Sequence, residues 1–144
     1  MTALLGITAS NTILPSFVVL KGRKVSIEVQ QLENANLYVT ASPNAWITEE
    51  GFLEWIDRVW KPYSLQFERT LLIMDQFRVH KMAVVLEELR KCNTDVVYIP
   101  AGMTYFLQPC DVFLNKPFKG QIRTLWQKYM TDQYKTNTGK LISS

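Results

Sequence analysis

The chain has 144 residues, of which 47% are apolar and 20% charged. That suffices for one domain with a buried core and excludes disordered, collagen-like and low-complexity classes. Its formal charge of +3 is uneven: residues 1–111 carry ten Lys/Arg against twelve Asp/Glu, whereas residues 112–144 carry six against Asp132 alone. A basic end on a near-neutral body points to a polyanionic partner, nucleic acid being the commonest; a solvated basic helix face is the blander alternative. No apolar run nears the ~20 residues of a membrane span, and Met1–Leu5 has no basic signal region. Cys92 and Cys110 form neither a disulfide framework nor a zinc motif. These features imply a reducing, intracellular compartment and no membrane partner.

Thr2 to Thr8 is apolar and β-prone, Ser10-Asn11-Thr12 reads as a turn, and Ser16 to Leu20 as a second strand. Together they predict a hairpin with a loop slightly longer than two residues. Val25 to Ala45 is poorly periodic, with a short strand at Leu37–Thr40 and a turn at Pro43-Asn44. Thr48 then caps a helix whose first turn holds Glu49 and Glu50, where the helix dipole favours acids. Phe52, Trp55, Ile56 and Val59 mark its buried face, and Pro62 is expected to stop it. Thr70 to Met74 is a continuous apolar run, the pattern of a strand buried on both faces.

Lys81 to Cys92 reads as a second helix with Met82, Val85, Leu86 and Leu89 inward, and Val96 to Ile99 as a short buried strand closed by Pro100 and Gly102. Pro117 suits the first turn of a last helix, with Phe118, Ile122, Leu125, Trp126 and Tyr129 on its inner face. At 100° per residue, Lys116, Lys119 and Arg123 fall within about 60° of one another on another face. Helices alternating with apolar strands in the second half predict an α/β fold with a mixed sheet. The four tryptophans Trp46, Trp55, Trp60 and Trp126 read as core or interface anchors.

Few side chains are placed for chemistry. Asp75 ends the strand read as the most buried, and sites in open α/β sheets form beyond the carboxyl ends of such strands. A carboxylate there can hold a hard cation such as magnesium, or simply end the strand. Asp111 lies before the last helix. Thirty-five residues separate it from Asp75, enough to return the chain to the same end of the sheet. Two carboxylates meeting there can share a divalent metal; an acid favoured by the helix dipole is the alternative. His80, the only histidine, lies five residues past Asp75. It has no Ser or Cys partner in a nucleophile motif, so acyl transfer is unsupported. No glycine-rich phosphate loop is present.

Leu71-Leu72-Ile73-Met74-Asp75-Gln76-Phe77-Arg78-Val79-His80 resembles the second-acid motif of DDE-type transposases. Asn93 to Thr104 looks like that family's next strand and loop. Leu107-Gln108-Pro109-Cys110-Asp111-Val112 resembles the third-acid motif, and Asn115 to Lys119 its continuation. The order and spacing are similar to the pogo/Tigger branch of the mariner-type superfamily, which includes host genes derived from pogo transposases. The resemblance runs from about Thr2 to Tyr129.

It implies a ribonuclease H-like fold, with a mixed sheet flanked by helices. In that family, two Mg2+ or Mn2+ ions between three carboxylates activate water, then a DNA 3′-hydroxyl, for attack on phosphodiesters. By resemblance Asp75 is the second acid and Asp111 the third, both metal ligands. Arg78, Lys116, Lys119 and Arg123 are read as phosphate contacts from their charge and position. The resemblance also implies a nuclear location.

The chain departs from this family in one respect. The strand beginning at Thr2 looks like the family's second strand, so the first strand, which carries the first acid, is missing, and no acid occurs before Glu28. The expectation is therefore a partial DDE domain over residues 1–130 and a basic polar tail over 131–144. Such a domain binds DNA, with strand cleavage lost. Unpaired sheet edges invite self-association, so a homo-oligomer is a further expectation. The competing reading is a domesticated protein-interaction or dimerisation module without DNA binding.

Overall fold

The computed structural model describes residues 1–103, 117–121, 123, 124, 127 and 131. Its first sheet has three strands, β1 (Thr2–Leu4), β2 (Ser16–Lys21) and β3 (Leu37–Ser42), in that spatial order. β1 and β2 pair antiparallel in the expected hairpin, with Thr2 opposite Val19 and Leu4 opposite Phe17, although β1 ends at Leu4 rather than running to Thr8. Its tip is a short loop in which Asn11 takes a φ of 63° and donates its N–H to the Thr8 carbonyl. A left-handed residue closing such a loop suits asparagine.

β3 lies parallel to β2, with Ser16 opposite Leu37 and Lys21 opposite Ser42. A parallel neighbour needs a crossover, which residues 22–36 provide with one short helix, α1 (Ile27–Gln30). β3 runs two residues past the expected Leu37–Thr40. Glu33 Oε1 accepts the Val39 N–H at 2.7 Å, so a side chain satisfies part of the backbone at this sheet's outer edge.

The helix after Thr48 begins as expected: Thr48 Oγ1 accepts the Gly51 N–H at 3.2 Å. It does not stop at Pro62. α2 (Glu49–Trp55) passes through a π-turn at Ile56–Trp60 into α3 (Lys61–Ser64). Pro62 has no N–H to give, and its ring would crowd the carbonyl four residues back in a regular helix. The wider turn just before it, in which the Lys61 N–H reaches the Ile56 carbonyl, carries the helix past the proline.

The second sheet pairs β4 (Thr70–Met74) with β5 (Thr94–Tyr98) in parallel, Thr70 opposite Thr94 and Met74 opposite Tyr98. Between them lie a 3-10 turn (Arg78–Lys81) and α4 (Ala83–Lys91). Asn93, with a φ of 53°, follows the end of α4 and turns the chain into β5. Val85 and Leu89 of α4 are fully buried. The expectation that β4 is buried on both faces is not met. Leu71 and Ile73 are 56% and 52% exposed, and Val97 opposite Ile73 is 48% exposed. An apolar run shows that a strand tolerates burial on both sides; whether a layer covers each side is a tertiary fact.

The α/β class is therefore as expected. Among the described residues, however, the strands form two sheets rather than one. Both sheets share one core, built from Phe17 and Val19 of β2, Phe52, Trp55, Ile56, Val59 and Trp60 of the long helix, Met74 of β4, and Val85 and Leu89 of α4. A buried polar contact ties the helix to the second sheet: Trp60 Nε1 donates to Thr94 Oγ1 at 2.9 Å. Trp55 Nε1, also buried, finds no acceptor among the described residues. None of the described helices is long and apolar enough to cross a membrane. Residues 117–121, 123, 124, 127 and 131 are helical.

Candidate functional site around Asp75

Asp75 follows the last residue of β4, so the strand delivers its carboxylate to the carboxyl end of the sheet. The chain then turns sharply. Asp75 Oδ1 accepts the Phe77 N–H at 3.1 Å, an Asx-turn. The 3-10 turn at Arg78–Lys81 folds His80 back onto the same carboxylate. His80 Nδ1 lies 2.8 Å from Asp75 Oδ1 and 3.2 Å from the Asp75 backbone carbonyl. Both neighbours are acceptors, so Nδ1 must carry the ring proton.

The imidazole is fixed from several directions. Phe52 of α2 packs against it with ring centroids 4.7 Å apart, and Phe77 meets it edge-on at 5.7 Å. Tyr98, at the end of β5, donates its hydroxyl to the His80 carbonyl at 2.7 Å. The ring atoms and backbone of His80 are thus tied to α2, β5 and the Asx-turn. Trp46, 59% exposed, stacks on Phe77 with ring centroids 6.2 Å apart. Of the tryptophans expected as anchors, Trp55 and Trp60 are buried, Trp46 is at the surface, and Trp126 lies outside the described residues.

The hydrogen bond from His80 holds the Asp75 carboxyl below its ordinary range, and the Phe77 N–H adds to this against the opposing effect of partial burial. Asp75 is consequently an anion at neutral pH. Both described contacts fall on Oδ1, and no hydrogen bond reaches Oδ2 among the described residues. Burial raises the Tyr98 phenol, keeping it a hydrogen-bond donor.

The other candidate residues fall into three groups. Arg78 is exposed on the 3-10 turn beside Asp75 and makes no ion pair among the described residues. Lys119 and Arg123 are exposed on a helical stretch one turn apart, so they share a face. Asp111 and Lys116 lie outside the described residues, as does all of the 131–144 tail except Thr131. Among the described residues, no three His, Cys, Asp or Glu side chains are grouped to hold a metal ion. A single ionised oxygen of Asp75 matches the hard-donor chemistry that Mg2+ and Mn2+ require, and the described residues supply no second carboxylate beside it.

His80 closes the second-acid motif in the sequence but was assigned no role there. The signal was present, an aspartate and a histidine five apart after an apolar strand, but their contact depends on a 3-10 turn that periodicity does not reveal.

The sequence profile of the family described as DDE superfamily endonuclease matches residues 1–142. The mouse (Mus musculus) protein named "Pogo transposable element with KRAB domain" is 28% identical over 132 residues, covering 90% of this chain and 21% of the relative. The Homo sapiens protein of that name matches with the same identity and coverage. "CENP-B homolog protein 2" of Schizosaccharomyces pombe is 33% identical over 99 residues, covering 65% of this chain and 18% of the relative. The chain thus spans about a fifth of the length of these two pogo relatives. No solved structure matches it.

Proposed function

The chain belongs to the DDE superfamily endonuclease family, and on that premise we propose that it acts as a transposase-derived domain that binds DNA in the nucleus. The observation that carries the proposal is the placement of Asp75. An ionised carboxylate stands at the carboxyl end of β4, with one oxygen engaged by His80 and Phe77 and no bond to the other among the described residues. Relatives named for pogo transposable elements support the transposase-derived part of the reading.

In this reading Asp75 and Asp111 are the second and third acids and would hold Mg2+ or Mn2+. The metal, when bound, supplies Lewis-acid stabilisation of charge at a phosphodiester. Arg78, Lys116, Lys119 and Arg123 contact backbone phosphates and set the salt dependence of binding. The first acid belongs to a strand between β1 and β4, which would join the two sheets into one ribonuclease H-like sheet. Two observations support that placement: β1 and β4 each pair on one side only among the described strands, and both sheets share a core. In this reading the 144-residue chain binds DNA and does not itself cut it.

The test is fluorescence anisotropy with labelled duplex DNA across a salt series, alongside plasmid nicking in Mg2+ or Mn2+. Salt-sensitive binding without nicking is expected. No binding at low salt by a folded sample would overturn the DNA reading, and nicking abolished by Asp75→Ala would overturn the loss of cleavage. One observation favours the second reading, an interaction or dimerisation module. Leu71, Ile73 and Val97 form an exposed apolar face on the β4–β5 sheet, the kind of surface that marks association. Under that reading, sedimentation shows a dimer, and Leu71→Thr with Ile73→Thr dissociates it.

A further inference from the structure

A carboxylate at the end of a strand ordinarily rotates, and both of its oxygens meet water. Asp75 is different because one oxygen is taken twice. Oδ1 accepts from the Phe77 backbone and lies 2.8 Å from His80 Nδ1. A bond to the backbone N–H two residues on is an ordinary turn device. The histidine is not needed for that turn. Its ring is held by Phe52 and Phe77, and its carbonyl receives the Tyr98 hydroxyl from β5. A side chain so constrained determines where its partner sits, rather than the reverse.

We propose that His80 is a positioning residue for the Asp75 carboxylate: through Nδ1–H it fixes Oδ1 and leaves Oδ2 as the oxygen presented to a divalent cation. The proposal rests on the reading of Asp75 as a metal ligand. Two effects of the bond oppose each other. Donation to Oδ1 draws charge from the carboxylate and weakens it as a ligand. Orientation removes the cost of freezing the side chain when a metal arrives. Partners that hold metal ligands generally cost 10–100-fold in affinity when removed, so orientation is expected to prevail at roughly that magnitude.

The probe is Mn2+ alone, titrated into the 144-residue chain and followed by the electron paramagnetic resonance of the free ion. Asp75→Asn should abolish binding, and His80→Ala should weaken it about 10–100-fold. His80→Asn places an amide N–H near the Nδ1 position and should restore most of the affinity. A mere packing role for His80 would lower the unfolding midpoint of both variants without separating their Mn2+ affinities. Because His80 is the only histidine, its ring nitrogens can also be read directly by long-range proton–nitrogen NMR without metal, and Nδ1 should be the protonated one.

The proposal is overturned if Nδ1 carries no proton. It is equally overturned if folded His80→Ala binds Mn2+ within about twofold of the parent, or more tightly, where the partner's removal should cost at least tenfold. In those cases the metal reading survives if Asp75→Asn still abolishes binding. If the parent and Asp75→Asn behave alike, Asp75 is not a ligand and both readings fall together.

Discussion

The contact between Trp60 and Thr94 lets the packing of the long helix on the second sheet be tested by one hydroxyl. Trp60 is 4% exposed and Thr94 5%. The indole N–H donates to Thr94 Oγ1 at 2.9 Å, that hydroxyl reaches the Cys92 carbonyl at 3.1 Å, and Thr70 Oγ1 lies 2.9 Å away. Thr94→Val keeps the shape and removes the oxygen. It leaves the Trp60 N–H buried without an acceptor, which costs about 1–3 kcal/mol. Thr94→Ser keeps the oxygen and removes one methyl group, which costs about 0.8 kcal/mol. The valine variant should therefore be the less stable of the two although it retains the bulk. At about 2 kcal/mol, a chain of this size should lose roughly 4–8 °C in Tm.

Urea denaturation of both variants, repeated in a Trp60→Phe background, completes the assay. Without the indole donor, Thr94→Val should become cheaper by about 1 kcal/mol, the coupling expected of residues in contact. Equal stability of the valine and serine variants, or no coupling to Trp60, would refute the assignment of a stabilising buried bond.

Leu89→Ala, at a fully buried position, should cost about 2–5 kcal/mol, whereas Leu71→Ala, at 56% exposure, should stay within about 0.5 kcal/mol; similar losses in chemical denaturation would mean that the β4 face is covered. Asp75 has a depressed carboxyl, so its contribution to stability is present above the ordinary aspartate range and is lost as pH falls through the lowered native value. Urea midpoints taken from neutral into acid should therefore fall more steeply for the parent than for Asp75→Asn, and parallel curves would contradict that sign. Lys119→Ala with Arg123→Ala should flatten the plot of log affinity against log salt by about 1.8, two phosphate contacts' worth, whatever the duplex sequence; an unchanged slope in the anisotropy titration would remove both residues from the DNA surface.

What the sequence made legible was local. Thr48 capping a helix with Phe52, Trp55, Ile56 and Val59 inward needs only the capping rule and the 3.6-residue period, and all four side chains are buried. The hairpin needed only a turn between two β-prone runs. Pro62 shows the limit of a local rule, since the residue that should end a helix sits just past a π-turn that accommodates it. Leu71 and Ile73 show another limit, because an apolar run carries no information about what lies over each face. The parallel pairing of β2 with β3 depends on a crossover of fifteen residues, 22–36, with no strong periodicity of its own. Asp75 was legible as a strand end. Its bond to His80 was not, because a chain expected to be helical only from Lys81 onward gave no reason for His80 to fold back.

The setting of Asp75 follows from how many separate elements converge on its neighbour. β4 brings the carboxylate to the sheet end, but β4 alone would leave it free to turn. The parallel register places Tyr98 opposite Met74, one residue before Asp75, so β5 delivers a hydroxyl beside the turn that follows β4. That hydroxyl holds the His80 backbone, α2 contributes Phe52 against the His80 ring, and the ring bonds to Asp75. A shift of β4 against β5 by one residue would move Tyr98 to the opposite face and break the chain of contacts at its first link. The carboxylate's orientation therefore depends on strand register and helix packing as well as on its own rotamer. Trp60 bonding to Thr94 at the other end of β5 secures the same strand. The core contacts that stabilise the second sheet and the polar contacts that orient Asp75 thus run through β5, which connects the packing of the long helix to the geometry of the candidate site.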